Sequence, residues 1–547
     1  MRPSVCSAVF IIFGFLYAVV RAALLNDSIN QGDQDWLLNL LSQAPAVKLR
    51  VIVTSKTMEI HGQSVFDVFA KPVVSNDSTY FHYDGVVNFL GEDLDTTYLL
   101  VDGASYVVKT TRDENTGAVL EQSVNCYLSD IPFDDILPAL KNAIAIPNAY
   151  VNGVLIDCPG GQLLQTSIVD ADFVLCTSGA SGFTAYGLGI TVEVEYLSRS
   201  IQNISVPASK RNNQVESCPV VVTPTQLTPT AIALVTGETI PVTTSRNLKE
   251  AFSIEIGGES CECKSTPRPC IFLHGLGNPN EKAELQDTPK LTKEKFGDIG
   301  GHAPCCTTVK YAVLNTVDYG WTNDTLQQKF CNFSLSMSKT SDLSSRTIAD
   351  TIVVTHSMGG LVMAGALATG KCKFANSTSW VSLSAPMKGS MAGDYIQDLC
   401  DEGSSGFRTD LLELLGQCPA SIAKKSIGYE NGRYSTPERN AAYIAAQEAY
   451  RGNVTAALCS TSYHGVFSKF YPSCLVGGMA IPHKSKENDG LVEFQSCLGG
   501  LDPVLFGDSY RDRFYSAKLN HADTAFLTHD GFFRKSQKPF KWFECLL

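Results

Sequence analysis

The stretch Ile352-Val353-Val354-Thr355-His356-Ser357-Met358-Gly359-Gly360-Leu361 limits the folds open to this chain more than any other. Ile352 to Val354 read as a buried strand, and the small and aliphatic run Leu361 to Leu367 reads as a helix. Between them the backbone must reverse sharply around Ser357, and a serine on such a strained turn needs small neighbours two residues away. Gly359 meets that need. Thr355 stands on the other side, so the turn has to tolerate a β-branched side chain. A strand, turn and helix of this kind belong to a mostly parallel sheet flanked by helices.

The chemistry such a serine needs is also encoded. A serine hydroxyl is a poor nucleophile at neutral pH, so a histidine must take its proton and a carboxylate must hold that imidazole in the right tautomer. Asn488-Asp489-Gly490-Leu491-Val492 and Asn520-His521-Ala522-Asp523 supply an acid, Asp489, and a base, His521. The chain order Ser357, Asp489, His521 is the order used by α/β-hydrolases. Acyl transfer also requires fixed N–H donors aimed at the charge that develops on a carbonyl oxygen. The apolar run Cys270 to Leu273 leads into His274-Gly275-Leu276-Gly277, and the two donors are assigned to the backbone N–H groups of Leu276 and Met358.

Taken with Ser384-Ala385-Pro386-Met387-Lys388-Gly389-Ser390, these blocks resemble the secreted triacylglycerol lipases of the α/β-hydrolase superfamily. The resemblance covers roughly residues 265 to 535 and is carried most specifically by the N-D-G-L-V and N-H-x-D blocks. It implies Asp489 as the acid and His521 as the base. It also implies a structural calcium ion with Asp523 as one ligand. The second calcium aspartate of the family has no counterpart in Ser468-Lys469-Phe470-Tyr471-Pro472. Calcium takes six or more oxygens, so the expectation is a local hydrogen bond or salt bridge for Asp523, with no cofactor required.

Other histidines carry weaker signals. His356 reads as a filler of the turn, because adjacent residues on a sharp turn point apart. His529-Asp530 is the rival pair, set in an expected surface turn ending at Gly531. His302, His464 and His483 lack ligand-like spacing and default to solvated or structural roles.

Several features point to the secretory route. Arg2, the apolar stretch Ala8 to Val20 and Val20-Arg21-Ala22-Ala23 fit a signal peptide over residues 1–23, an uncleaved anchor being the alternative. Beyond it no segment reaches spanning length, and Trp542 to Leu547 lacks a lipid-anchor tail, so no transmembrane anchor and a soluble mature protein are expected. Eighteen cysteines include Cys6 in the signal, leaving seventeen that are expected to form disulfides, the odd one being a free thiol or an intermolecular bridge. Cys261 and Cys263, like Cys305 and Cys306, should each pair outward, and Cys497 with Cys459 or Cys474. Seven N-x-S/T acceptors, Asn26, Asn76, Asn203, Asn323, Asn332, Asn376 and Asn453, would face solvent where glycosylated. Without Arg2 and Arg21, 41 basic residues stand against 55 acidic ones, and no repeat or basic cluster interrupts them. Such a surface disfavours nucleic acid and anionic membranes.

At 547 residues the chain is too long for one core. Alternation in Val47 to Val51, two strands turned at Asp102-Gly103 within Tyr98 to Val108, and alternation in Ile190 to Tyr196 predict a mainly antiparallel β domain over 24–218, with one helix from Phe133 to Ala145. Its concave face could hold a hydrophobic or extended ligand, or the domain could be purely structural. The Thr/Pro-rich stretch 219–264 suits an extended connector or edge strands better than a helix. An α/β-hydrolase domain then covers 265–547, with a cap insertion at about 387–471 containing a helix around Pro437 to Tyr450. Ala441, Ala442, Ile444, Ala445 and Ala446 give that helix a weakly apolar face suited to a lid.

The expectation is a secreted, extracellular glycoprotein that cleaves carboxylic esters, lipid esters foremost, through an acyl-enzyme on Ser357, with contact to lipid aggregates open. Two alternatives stay open: a phospholipase, thioesterase or lipid-anchor deacylase of the same fold, since H-S-M-G-G also occurs in deacylases of that kind, or a binding glycoprotein on a hydrolase scaffold without turnover.

Overall fold

A computed structural model describes residues 40, 43–54, 59–74, 81–91, 94–113, 116, 118–126, 143–177, 181–199, 201, 203–206, 218, 220, 229–238, 253–256, 261–292, 295–401, 418–466, 468, 470–531 and 533–547. The expected signal peptide, Asn26, Asn76, residues 133–142 of the expected helix and most of 219–264 lie outside them. The chain divides into two compact units, Met1–Glu259 with Phe532–Arg534, and Ser260–Gly531 with Lys535–Leu547.

The first unit is built on an eleven-stranded sheet whose neighbouring strands all pair antiparallel. The alternation in Ala46–Val53 buries Val47, Leu49, Val51 and Val53 while Arg50 stays exposed, as a half-buried strand requires. Leu94–Val101 and Ala104–Arg112 form the expected hairpin, and Asp102 and Gly103 both hold positive φ, at 49° and 77°. That pair matches the twist of the flanking strands.

Two expectations for this half are corrected. Ile144–Ala145, assigned to the end of a helix, is a short strand paired with Leu164 and Gln165. Within the stretch read as an extended connector or edge strands, Ser253–Ile256 is an edge strand parallel to Asn148–Val151, but Pro229–Thr236 is a helix. Threonine and proline content suggested extension, but proline sits at the first helical position, where its missing N–H costs nothing. Ala233, Leu234 and Val235 are buried, Tyr196 donates its hydroxyl proton to the Leu234 carbonyl, and Gly237 ends the helix at φ 75°.

The second unit contains a seven-stranded sheet. Its strands, labelled within this unit in chain order, are β1 (Arg268–Leu273), β2 (Cys306–Tyr311), β3 (Ile352–His356), β4 (Ser379–Leu383), β5 (Ala456–Ser460), β6 (Phe506–Gly507) and β7 (Phe514–Ala517). The spatial order is β2-β1-β3-β4-β5-β7-β6, and every pairing is parallel. A parallel sheet needs helices on both faces, which explains the unbroken apolar runs. Ile352 and Val354 enter one core layer with Phe272, Val381, Leu458 and Trp542, whereas Val353 enters the other with Ile271, Trp380 and Ala457. All three β3 residues are fully buried, each contributing about 1.5–3 kcal/mol by removal from water.

The helices of this unit that matter below are α1 (Asp324–Ser336), α2 (Met358–Ala368), α3 (Met391–Asp401), α4 (Ile422–Ser426), α5 (Pro437–Asn453), α6 (Tyr471–Ala480), α7 (Phe494–Cys497) and α8 (Pro539–Cys545). The expected cap insertion is corrected here. Ala456–Ser460, inside the 387–471 stretch, is a central strand, and α5 turns Tyr443, Ala446 and Tyr450 into the core beside Trp321 and Trp380. Of the residues expected to suit a lid, Ala446 is buried and Ala442 half-buried in this packing, whereas Ala441, Ala445 and Ile444, the last 54% exposed, face away from it. Small side chains let a helix approach its neighbour closely, so they serve packing as readily as oil binding.

Eight disulfides are present: Cys126–Cys218, Cys158–Cys176, Cys261–Cys545, Cys263–Cys305, Cys270–Cys306, Cys331–Cys372, Cys400–Cys418 and Cys459–Cys497. Both close cysteine pairs bridge outward, and Cys497 takes Cys459, leaving Cys474 as the free thiol among the described residues. Asn203, Asn332, Asn376 and Asn453 are exposed; Asn323 is half-buried and caps α1, its Oδ1 accepting from Leu326 N at 3.0 Å. Among the described residues no helix is long and apolar enough to cross a membrane.

Candidate active site

Four segments that are remote in sequence end at the carboxyl edge of the parallel sheet, the edge where open α/β sheets present ligand sites. β1 leads into the His274-Gly275-Leu276 loop, β3 into Ser357, β5 and α6 into the Asp489 loop, and β7 into His521. A parallel sheet points all these strand ends the same way, which is why such distant residues can meet.

Ser357 sits between β3 and α2 at φ 55° and ψ −132°, a backbone region costly for a residue with a Cβ. Its N–H donates to Leu383 O at 2.9 Å, tying the turn to β4. Thr355 is accommodated because its side chain is buried and its Oγ1 accepts from Trp380 Nε1 at 2.9 Å. The glycines around the turn are needed for close approach. A Cβ on Gly359 would lie 2.7 Å from the carbonyl oxygens of Leu273 and His274, and one on Gly275 would lie 2.6 Å from the Cβ of Ser357. Gly275→Ala is therefore expected to push the serine off its line and lower any Ser357-dependent activity by at least about 100-fold, while far-ultraviolet circular dichroism stays as in wild type.

The side chains form one hydrogen-bonded line. Ser357 Oγ lies 3.0 Å from His521 Nε2, and His521 Nδ1 lies 2.8 Å from Asp489 Oδ2. Asp489 is buried; burial alone would raise its carboxyl, but attraction and hydrogen bonding from His521 and the N–H groups of Val492 and Leu491 together hold it below the usual carboxylate range. The Val492 and Leu491 N–H groups reach Oδ1 at 2.7 and 3.0 Å. The backbone repeats the link, since His521 N donates to Asp489 O at 2.9 Å. An ionised carboxylate so placed keeps the Nδ1 proton on the imidazole and leaves Nε2 as acceptor toward the serine.

His274 and His356 brace this line. His274 is buried and its imidazole is pushed down to about 4, chiefly by burial. The neutral ring donates from Nδ1 to Gly275 O at 2.8 Å and accepts at Nε2 from Leu314 N at 3.2 Å, fixing the loop that carries Leu276. His356 is likewise held neutral, chiefly by burial, and its Nε2 lies 3.1 Å from His521 O and 3.3 Å from Thr524 Oγ1. The residue read as a turn filler thus clamps the loop bearing His521.

The two assigned donors fit their positions differently. Leu276 lines the same cavity as Ser357, and among the described residues its N–H has no protein acceptor. Met358 is fully buried, and as first residue of α2 its N–H has no partner within the helix.

Both carboxylate oxygens of Asp523 accept hydrogen bonds from within the protein. Its Oδ2 accepts from Val466 N and Asn520 N at 2.8 and 2.9 Å, and its Oδ1 from Thr528 Oγ1 at 2.8 Å. Among the described residues no group of three or more His, Cys, Asp or Glu is placed to hold a metal, and Asp523 makes local hydrogen bonds. Burial raises its carboxyl to about 7 against the lowering by those three donors. A carboxyl raised on folding stabilises fully below the ordinary carboxylate range and loses that contribution as pH rises through about 7. Asp523→Asn, which stays neutral, is therefore expected to gain melting temperature relative to wild type between pH 5 and pH 8 in paired thermal scans, whereas a constant difference would exclude this titration.

The rival pair is corrected: His529 and Asp530 are buried, not in a surface turn, and Asp530 Oδ1 accepts from Phe540 N at 2.9 Å at the start of α8. His302 sits 3.6 Å from Glu544, His464 stacks on Tyr463, and His483 Nδ1 lies 2.7 Å from Glu493 in a buried pair.

A cavity of about 420 Å³ opens beside Ser357 and His521. Ile396, Ile427, Phe470, Leu491 and Leu527 give it apolar walls, and α3 and α4 from the expected cap region contribute to them. Cys474 also lines it, but burial pushes its thiol up, so it holds no thiolate to compete with the serine. Sequence reading missed Gly275, the two bracing histidines as a pair, and Lys295 and Lys424 on the cavity wall. The H-G and H-S dipeptides were visible; what their imidazoles touch was not.

Compared with known proteins, the chain matches no family model and no curated protein.

Proposed function

We propose that this chain is a secreted serine hydrolase of the α/β-hydrolase type that cleaves carboxylic esters, lipid esters foremost. The observation that carries this reading is the unbroken line from Ser357 Oγ through His521 to Asp489, at 3.0 and 2.8 Å, facing an apolar cavity. In the proposed course His521 Nε2 takes the Ser357 proton as Oγ attacks the ester carbonyl. Charge on the former carbonyl oxygen is met by the N–H groups of Leu276 and Met358, and the imidazolium by Asp489. His521 then returns the proton to the departing alcohol, leaving an acyl-serine. Water, deprotonated by the same imidazole, releases the acid and restores the serine. Eight disulfides and four exposed glycan acceptors support the secretory route.

A fluorophosphonate probe tests the nucleophile directly. The expected result is a single modified peptide carrying Ser357; labelling elsewhere, or none, would overturn the assignment. A chain-length series of p-nitrophenyl esters alongside emulsified triacylglycerol then divides lipase from short-chain esterase.

A further inference from the structure

The cavity beside Ser357 carries a charge opposite to that of the chain. The protein's formal net charge is −12, yet among the described residues the cavity wall holds two lysines, Lys295 and Lys424, and no carboxylate. Lys424 lies on α4 and is half-buried. No carboxylate among the described residues pairs with it, and burial holds its ammonium below the ordinary lysine range. Of the three acids on the adjoining helix α3, Asp394 accepts at Oδ2 from Tyr429 N at 2.7 Å, Asp398 accepts from Arg433 and Tyr434, and Asp401 accepts from Tyr434. Asp489, the acid nearest the serine, is spent on His521 and two N–H groups. Lys295 lines the same cavity, with Nζ 3.0 Å from where a Cβ on Gly277 would sit in the loop that carries Leu276. Ser473, in the first turn of α6, adds a hydroxyl to the same wall.

Holding an ammonium half out of water without a counter-ion costs free energy that a bound anion would recover. The apolar walls ask for hydrocarbon, while Lys424 asks for negative charge within the same space. We infer that the substrate is an anionic ester: an acyl ester whose molecule also carries a phosphate or phosphodiester group, received by Lys424 and aided by Lys295. This rests on the hydrolase reading and narrows it, since a neutral triacylglycerol would leave the lysine side of the cavity unmatched.

Two measurements test this, one of them independent of turnover. Purified Ser357→Ala protein is titrated calorimetrically with octyl phosphate, 1-octanol and inorganic phosphate. Octyl phosphate is expected to bind at least about tenfold more tightly than either, to weaken as salt is raised, and to lose that advantage in the Ser357→Ala, Lys424→Met double variant but keep it with Lys424→Arg. Equal binding of octyl phosphate and octanol overturns the inference, as does inorganic phosphate binding as well as octyl phosphate, or a Lys424→Met background that retains the preference. The salt dependence needs no lysine variant and survives a failure of Lys424→Met to fold. In the second measurement wild-type protein hydrolyses 1-acyl lysophosphatidic acid and 1-monoacylglycerol of equal chain length. The KM of the anionic ester is expected to be lower by about tenfold, and the ratio to approach one with Lys424→Met. If the fluorophosphonate labels Ser357 but the two esters are handled alike, the anionic substrate is wrong and the hydrolase stands. If Ser357 is not labelled, the hydrolase reading itself fails.

Discussion

Ser357→Ala should lower ester hydrolysis by at least about 10⁴-fold, with the fold and the affinity for a non-reactive ligand retained. The serine is half-buried at the mouth of the cavity and bears little of the packing, because β3 and α2 are held by Ile352, Val353, Val354, Leu361 and Val362, all fully buried. Removing one hydroxyl leaves those contacts untouched, and alanine has a smaller steric demand than serine at the same positive φ. The variant should therefore melt close to wild type. Rate measurements on a p-nitrophenyl ester, paired with a thermal scan, decide the matter. A variant that hydrolyses as fast as the parent would remove Ser357 from the reaction, and a variant that unfolds would leave fluorophosphonate labelling of the wild-type protein as the informative measurement.

Asp489→Asn should cost about 10⁴-fold in kcat for a different reason. The asparagine can keep its oxygen on the Val492 and Leu491 N–H groups, now bonded to Asp489 Oδ1 at 2.7 and 3.0 Å. Its NH₂ then faces His521 Nδ1, forces the ring proton onto Nε2, and leaves no acceptor for the serine proton. The geometry survives and the tautomer is wrong. The effect should therefore appear in kcat with fluorophosphonate labelling slowed in parallel, and binding of octyl phosphate should be little changed. A loss of less than about tenfold would show that Asp489 does not orient the base.

Much of the local structure was legible because it depends on neighbours in sequence. The alternation in Val47 to Val51 and the Asp102-Gly103 turn follow from side-chain period and backbone handedness. The unbroken run at Ile352 to Val354 announced a strand buried on both faces. Where composition stood in for periodicity the reading failed: Pro229–Thr236 is a helix despite its threonines, and Ala456–Ser460 is a core strand within what looked like an insertion. Ala-Ala-Leu-Cys-Ser carries too little pattern to be told from a helix segment by itself.

The candidate site divides along the same line. Which residue types stand ready to act was determined by sequence alone, since Ser357, Asp489 and His521 occupy blocks whose composition is demanded by a turn, an acid loop and a base loop. That His521 lies 3.0 Å from Ser357 and 2.8 Å from Asp489 was decided only by tertiary structure, because a parallel sheet gathers the ends of β3, β5 and β7 at one edge. The same holds for His356 reaching across 165 residues to His521 O, for the choice of Cys459 over Cys474 by Cys497, and for Lys424 turning into a cavity beside Ser357. Local pattern depends on the period of the backbone, whereas distances between remote side chains depend on how whole layers pack, and no short window of sequence contains that information.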